Sequence, residues 1–308
     1  MSAYYQYVGY GGSGSFIQNG GANTVYENPE LGLQNFGPGS GSYTLNDGSL
    51  STSNTIVGQD SVGLFTQTGG THSTGFLSLG EDSAASGTYN LSGGSVSAEA
   101  IVVGEYGTGS FTQSGGTNAV TDFLSLGDGF TASGTYQLQG GSLSVSELDV
   151  GWQGSGTFTH TGGTNTVGSL DLGHEAGASG AYTLGGGTGS PSLTAENEII
   201  GNAGTGTFTQ IGGTNTASSD GGGDLFLGYN TTGSGAYTLD GGSLSVGNNA
   251  YIGYSGVGLF TQTGGTHTVG WGLVLGFDTG SSGTYDLQGG SLSATQERIG
   301  RASSGTFT

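Results

Sequence analysis

The stretch Gly156-Thr157-Phe158-Thr159-His160-Thr161-Gly162-Gly163-Thr164-Asn165-Thr166-Val167-Gly168-Ser169-Leu170-Asp171-Leu172-Gly173 carries the grammar of the whole chain. Around Phe158 the residues alternate at period two, the pattern of a half-buried strand. Gly162-Gly163 then makes a corner, because glycine adopts positive φ without a Cβ penalty. A second alternating segment, Thr164 to Val167, leads to a third, Leu170-Asp171-Leu172, which closes on Gly173. Three short strands and three corners in so few residues describe one coil of a parallel β-solenoid.

Outward from this stretch the same unit recurs along the chain, the signature of a repeat architecture. A Gly-x-aromatic motif places Phe16, Tyr43, Phe65, Tyr89, Phe111, Tyr136, Phe158, Tyr182, Phe208, Tyr237, Phe260, Tyr285 and Phe307 in one expected ladder. Phe and Tyr alternate over all thirteen positions, and the first spacings are 27, 22, 24, 22, 25 and 22 residues. The true repeat is a pair of units of about 47 residues. Units close on a hydrophobic residue plus Gly, as at Leu79-Gly80, Val103-Gly104, Leu126-Gly127 and Ile200-Gly201.

A β-propeller blade also takes about 40 to 50 residues. Its four hairpin strands need not resemble one another, whereas these half-units match position for position. The expected fold is all-β: one parallel β-solenoid over 1–308, about 13 rungs of three short strands. At about 4.8 Å per rung that is a rod on the order of 60 Å long. Small insertions sit at Gly185-Gly186-Gly187-Thr188-Gly189-Ser190-Pro191 and at Asp220-Gly221-Gly222-Gly223.

Strand parity predicts what faces the core. Leu170 and Leu172 flank Asp171, and Leu148 and Val150 flank Asp149, so the apolar pair points inward. Carried back along the coil, this parity reveals a two-unit code. Tyr units place Leu two residues after the aromatic (Leu91, Leu138, Leu287), where Phe units place Gln67, Gln113, His160 or Gln262. Across the Gly-Gly corner the partner switches in step, from Val96, Leu143 and Leu292 to His72, Asn118, Asn165 and His267. Buried polar groups need partners. The corner pairs Gln113/Asn118 and Gln262/His267 are therefore expected to bond each other or the corner carbonyls, with the Tyr hydroxyl reaching the same layer.

Composition narrows the function classes. The chain has 308 residues with 71 Gly, 3 Pro and no Cys, and 22 Asp+Glu against 2 Arg give a net charge of −20. Nucleic acid is not an expected partner, since phosphate binding needs a cationic patch and the cations are Arg298 and Arg301. No run reaches the about 18 to 20 apolar residues of a membrane helix. Without Cys there is no disulfide scaffold, thiol nucleophile or thiolate metal site. Hydrophobic residues make up 32% and are regularly placed, so the chain is expected to fold rather than remain disordered.

The motifs Gly156-Thr157-Phe158, Gly162-Gly163-Thr164 and Leu170-Asp171-Leu172-Gly173 resemble the Gly-rich repeats of bacterial autotransporter passengers and PEP-CTERM-associated surface proteins. The resemblance spans essentially the whole chain and implies an exported β-solenoid displayed on, or released from, the cell surface. Val8-Gly9 matches the close of a unit, and Gly305-Thr306-Phe307-Thr308 opens one. Both ends are thus read as uncapped and cut in mid-rung. Either the chain is a segment of a longer solenoid or subunits stack end to end through open edges.

Candidate chemistry is sparse. Asp60, Glu81, Asp82, Glu105 and Asp128 crowd the corner that follows the closing Gly. They read as a solvated acidic face, with weak Ca²⁺ binding as the functional alternative. Later coils place Trp152, Tyr229, Tyr254 and Phe277 near that corner, where rings can stack on surface glycans, pack against a neighbouring fibre or simply cover the glycines. His72, His160 and His267 occupy amide positions of the code and read as structural, while His174 stands beside Glu175. Thr157, Thr159 and Thr161 form a short outward rank, but Asn90, Gln137, Asp286 and Gln288 interrupt it in Tyr units, against an ice-binding face. No catalytic constellation and no cofactor are expected. The sequence points to a non-catalytic extracellular or cell-surface structural protein, a filament subunit or adhesin shaft, with a glycan-binding or polysaccharide-active β-helix as the alternative.

Overall fold

Period-two alternation without a helical period yields strands alone. The computed structural model describes residues 1–25, 30–33, 39–218 and 222–308, with backbone only at 30–33. Asp220 and Gly221 of the second insertion lie outside the described residues. Among the described residues there are 29 strands, paired in parallel, and no helix. They form a parallel β-solenoid of about 12 turns. Two compact units are distinguishable, Met1–Ser146 with Gly154–Thr157, and Glu147–Gln153 with Phe158–Thr308.

In the first unit the strands Val62–Gln67, Ser86–Leu91, Thr108–Gln113 and Ser133–Leu138 pair in register, so Phe65, Tyr89, Phe111 and Tyr136 are direct neighbours. Their rings stack at 4.5, 4.7 and 4.7 Å and lie within 5° of parallel. Phe111 therefore sits between Tyr89 and Tyr136, as the repeat requires. In the second unit Phe158, Tyr182, Phe208, Tyr237 and Phe260 continue the same arrangement at 4.6 to 4.9 Å. Tyr285 follows Phe260 at 4.6 Å. Each ring buries a large apolar area, and all from Tyr43 to Tyr285 are at most 1% exposed.

The second and third segments of a coil are separate strands at Ser243–Val246 and Ala250–Ile252. In most coils they run on as one bent strand, such as Ser95–Val103. There the bend is absorbed by a register shift between Ala98 and Ile101 against the next coil.

Two glycines of each coil meet at the corner that starts the next one. Gly104 has φ +75°, and Gly109 packs against its backbone nitrogen. A Cβ on Gly134, the equivalent of Gly109, would run into the carbonyl oxygen of Val103. The Gly of the Gly-x-aromatic signature and the Gly that closes each coil are thus two halves of one close backbone contact.

Candidate functional site

Inside the coil the two-unit code resolves into polar triads. Tyr136 donates its hydroxyl to Gln113 Oε1 at 2.5 Å and accepts from Asn118 Nδ2 at 3.1 Å. Gln113 Nε2 donates to the carbonyls of Gly116 and Ser142, so the amide also ties the corner backbone of two coils. Gln and Asn do not bond each other; the Tyr hydroxyl of the following coil bridges them. Tyr285 donates to Gln262 Oε1 at 2.5 Å, with His267 Nδ1 3.0 Å from its oxygen. Because that hydroxyl proton is already given to Gln262, His267 Nδ1 is the donor to Tyr285, and the ring is the Nδ1–H tautomer. Burial pushes the pKa of His72 and His267 down to about 3 and that of His160 to about 4. All three are neutral, interior amide substitutes.

A further interior position escapes the repeat code. Gln6, Thr55 and Glu198 occupy the inward third-strand column otherwise held by residues such as Leu77, Leu170 and Leu225. Each lies 17 residues before the corner Asn or His that it meets. Asn23 donates to Gln6 at 2.8 Å, Thr55 Oγ1 is 3.1 Å from His72 Nε2, and Asn215 donates to Glu198 at 3.2 Å. Glu198 is wholly buried, and desolvation raises its pKa to about 7.

On the outside, the residue after the closing Gly folds back over the outward residue of the third strand. Asp128 accepts from Ser125 at 3.1 Å, and Glu105 accepts from Ser78 of the preceding coil at 2.7 Å. In two later coils of the second unit aromatic residues take these positions: Phe226 meets Tyr229 and Tyr254 edge-on, and Tyr251 meets Tyr254 and Phe277. The outward face of the third strand is consequently covered. Ser78, Ser125, Asp149 and Asp171 are all buried although they point away from the core.

This geometry places the residues predicted at the corner. Glu105 and Asp128 are engaged by serines, and burial raises both carboxyl pKa values. Asp82 is raised chiefly by a hydrogen bond shared with Asp60. Among the described residues the five acids, Glu81 included, do not converge into a group with three ligand atoms within 4.8 Å. Tyr229, Tyr254 and Phe277 stack successively at 5.2 and 4.7 Å, and the Arg301 guanidinium lies 4.0 Å over Phe277. Trp152 is not in contact with that stack. It lies 3.8 Å from the His174 ring instead, so the four predicted rings form two separate groups.

His174 anchors the one convergent set of ligand-type side chains among the described residues, Asp149, Asp171 and His174. Its Nδ1 donates to Asp171 Oδ2 at 2.9 Å and is 3.7 Å from Asp149 Oδ1. The Asp171 hydrogen bond leads in raising the imidazole pKa, against the opposing effect of burial. Asn202 also donates to Asp171 Oδ2. The sequence singles out His174 only by its neighbour Glu175, whereas its structural partner is Asp171, three residues back across the corner.

One open groove of about 530 Å³ lies on the first unit, lined by Phe76, Glu99, Asp122 and Phe123 among others. Two partly buried rings and two exposed acidic residues line it. Fold and site together define a Gly-rich parallel β-solenoid repeat protein. Comparison with protein-family models, curated proteins and solved structures finds no match.

Proposed function

We propose that this chain is a non-catalytic structural protein, a rigid extracellular solenoid serving as a filament subunit or as the shaft of a surface fibre or adhesin. The observation that carries this reading is the destination of the reactive side chains. Three of the four His, the code Gln and Asn residues and the ladder Tyr hydroxyls are turned inward and hydrogen-bonded from coil to coil. Chemistry that an enzyme would direct at a substrate is used here to register one coil on the next. Stability then accumulates between neighbours, as suits a load-bearing element.

Association is proposed to run end to end. Among the described residues the strands Ser291–Ile299 and Ser304–Phe307 each pair with one neighbouring strand, and Ile299 is 51% exposed. Such an edge accepts another coil, either from a second copy or from a continuation of the same chain. Electron microscopy with sedimentation of the purified chain tests this. Concentration-dependent fibres support the filament, and isolated particles support the shaft. Release of reducing ends from a polysaccharide panel would overturn the non-catalytic reading.

The groove with Phe76 and Phe123 favours a second reading, a cell-surface glycan-binding or polysaccharide-active β-helix. Aromatic faces stack on sugar rings while Glu99 and Asp122 accept hydroxyl hydrogen bonds. Glycan-array binding that disappears in Phe123→Ala would support it.

A further inference from the structure

Asp149 and Asp171 stand at equivalent outward positions of successive third strands, in Leu148-Asp149-Val150-Gly151 and Leu170-Asp171-Leu172-Gly173. Elsewhere in that column stand Ser78 and Ser125, each met by one acid, Phe226 and Tyr251, met by rings, the aliphatic Val102, Ile199 and Val274, and the cationic Arg298. Only between Asp149 and Asp171, among the described residues, do two acids succeed one another in this column. Both are buried, 2% and 4% exposed.

Two carboxylates withdrawn from water beside a single imidazole leave an excess of negative charge, which proteins compensate by pairing or by a metal. Asp171 Oδ1 is buried and accepts no hydrogen bond, so its second oxygen retains unused donor capacity toward a cation. We propose that Asp149, Asp171 and His174 form a site for a first-row divalent transition metal, with Zn²⁺ as the representative ion, that clips two successive coils together.

The geometry and donor set agree with that class of ion. Ligands about 2.1 Å from a tetrahedral metal lie about 3.4 Å apart. The distances from His174 Nδ1 to the two carboxylates, 2.9 and 3.7 Å, bracket that separation. An imidazole nitrogen with only two carboxylates suits zinc-like ions, whereas Ca²⁺ takes six to eight oxygens. Outer support is already built: Asn202 holds Asp171 Oδ2, and Asn230 donates to Asn202 Oδ1 at 2.7 Å, fixing that amide. Trp152 covers one face of the imidazole. The His174 side chain is 24% exposed, which leaves an entry path and room for a water in the fourth position.

The test is Zn²⁺ titration of the chelator-treated full chain by calorimetry, with tryptophan fluorescence read in parallel and excess Mg²⁺ present to suppress diffuse binding to the acidic surface. One ion per chain is expected, with a change in Trp152 emission. His174→Ala lies at the exposed rim and should keep the fold by circular dichroism. It should weaken binding by more than about 100-fold, beyond the 10- to 100-fold expected for the outer partner in Asn202→Ala. Trp152→Phe should retain calorimetric binding and lose most of the emission change. Absence of saturable binding, or binding unchanged by His174→Ala, would overturn the site.

Discussion

Tyr136 donates its hydroxyl to Oε1 of Gln113 in the preceding coil, and the Phe position of the code cannot do the same because Phe111 has no hydroxyl. The hydrogen-bonded dyad therefore always runs from a Phe coil to the Tyr coil after it, as Tyr89 does to Gln67 and Tyr285 to Gln262. The 47-residue period is a structural module, since each half contributes what the other lacks.

Removal of the bridging hydroxyl follows directly. Tyr136→Phe leaves Gln113 Oε1 and Asn118 Nδ2 buried without their shared partner and is expected to cost about 1–3 kcal/mol. Chemical denaturation measures it. A double-mutant cycle with Gln113→Leu should show coupling above about 0.5 kcal/mol, because the two residues share one bond. Additive effects would mean that the triad is not the unit of stability.

The backbone corner gives a second expectation. Gly134→Ala drives a Cβ into the Val103 carbonyl, which no rotamer change can relieve because the obstacle is main chain. Overpacking of this kind costs about 1–3 kcal/mol or more. At Gly177, where nothing lies within 4 Å of an added Cβ, the residue serves only its positive φ of +91°. Gly177→Asn, which tolerates that region, should be close to neutral. Equal losses in thermal melts of the two variants would contradict the close-contact explanation.

The two buried corner histidines differ in one neighbour. His72 Nε2 meets Thr55 Oγ1, while His267 Nε2 has no partner and the residue 17 positions earlier is Ala250. Thr55→Val should destabilise by about 1 kcal/mol, and Ala250→Ser should recover a similar amount at the other end of the chain. Opposite signs in paired denaturation curves are the expected result; loss in both would show that Ser does not reach the ring.

The inner layer is legible in the sequence because it repeats: Phe/Tyr, Gln/Leu and Asn/Leu recur in the same slots, so one letter predicts the next. Only the choice of partner is hidden in the folded arrangement, since spacing alone does not say that Tyr136 stands between Gln113 and Asn118. The outer layer is illegible for the opposite reason. It obeys one geometric rule, a residue three positions on folding back over the corner, but fills it with Ser125/Asp128, Asp171/His174 or Phe226/Tyr229. No repeated letter marks a rule whose chemistry changes from coil to coil. Alternation placed Asp149 and Asp171 facing outward, and that holds. Their burial depends on the neighbouring corner, which parity does not describe. The 17-residue offset shared by Gln6/Asn23 and Thr55/His72 is the one signal that leads to Glu198.

That buried acid sets the pH dependence. Its folded pKa of about 7 lies above the ordinary glutamate value of 4.5, so the folded state binds the proton more tightly. Its contribution is fully present below pH about 4.5 and is lost as pH rises toward 7, about 3 kcal/mol in all. His72 and His267 act in the opposite sense. Held neutral with pKa values near 3, they cost stability as pH falls below 6.5, where the unfolded chain takes up protons that the folded chain refuses. Glu198→Gln keeps an acceptor for Asn215 and cannot ionise. The variant should match the parent near pH 4 and exceed it by roughly 3 kcal/mol at pH 8. Denaturation curves at the two pH values decide it, and a pH-independent difference would mean that Glu198 does not carry the titration.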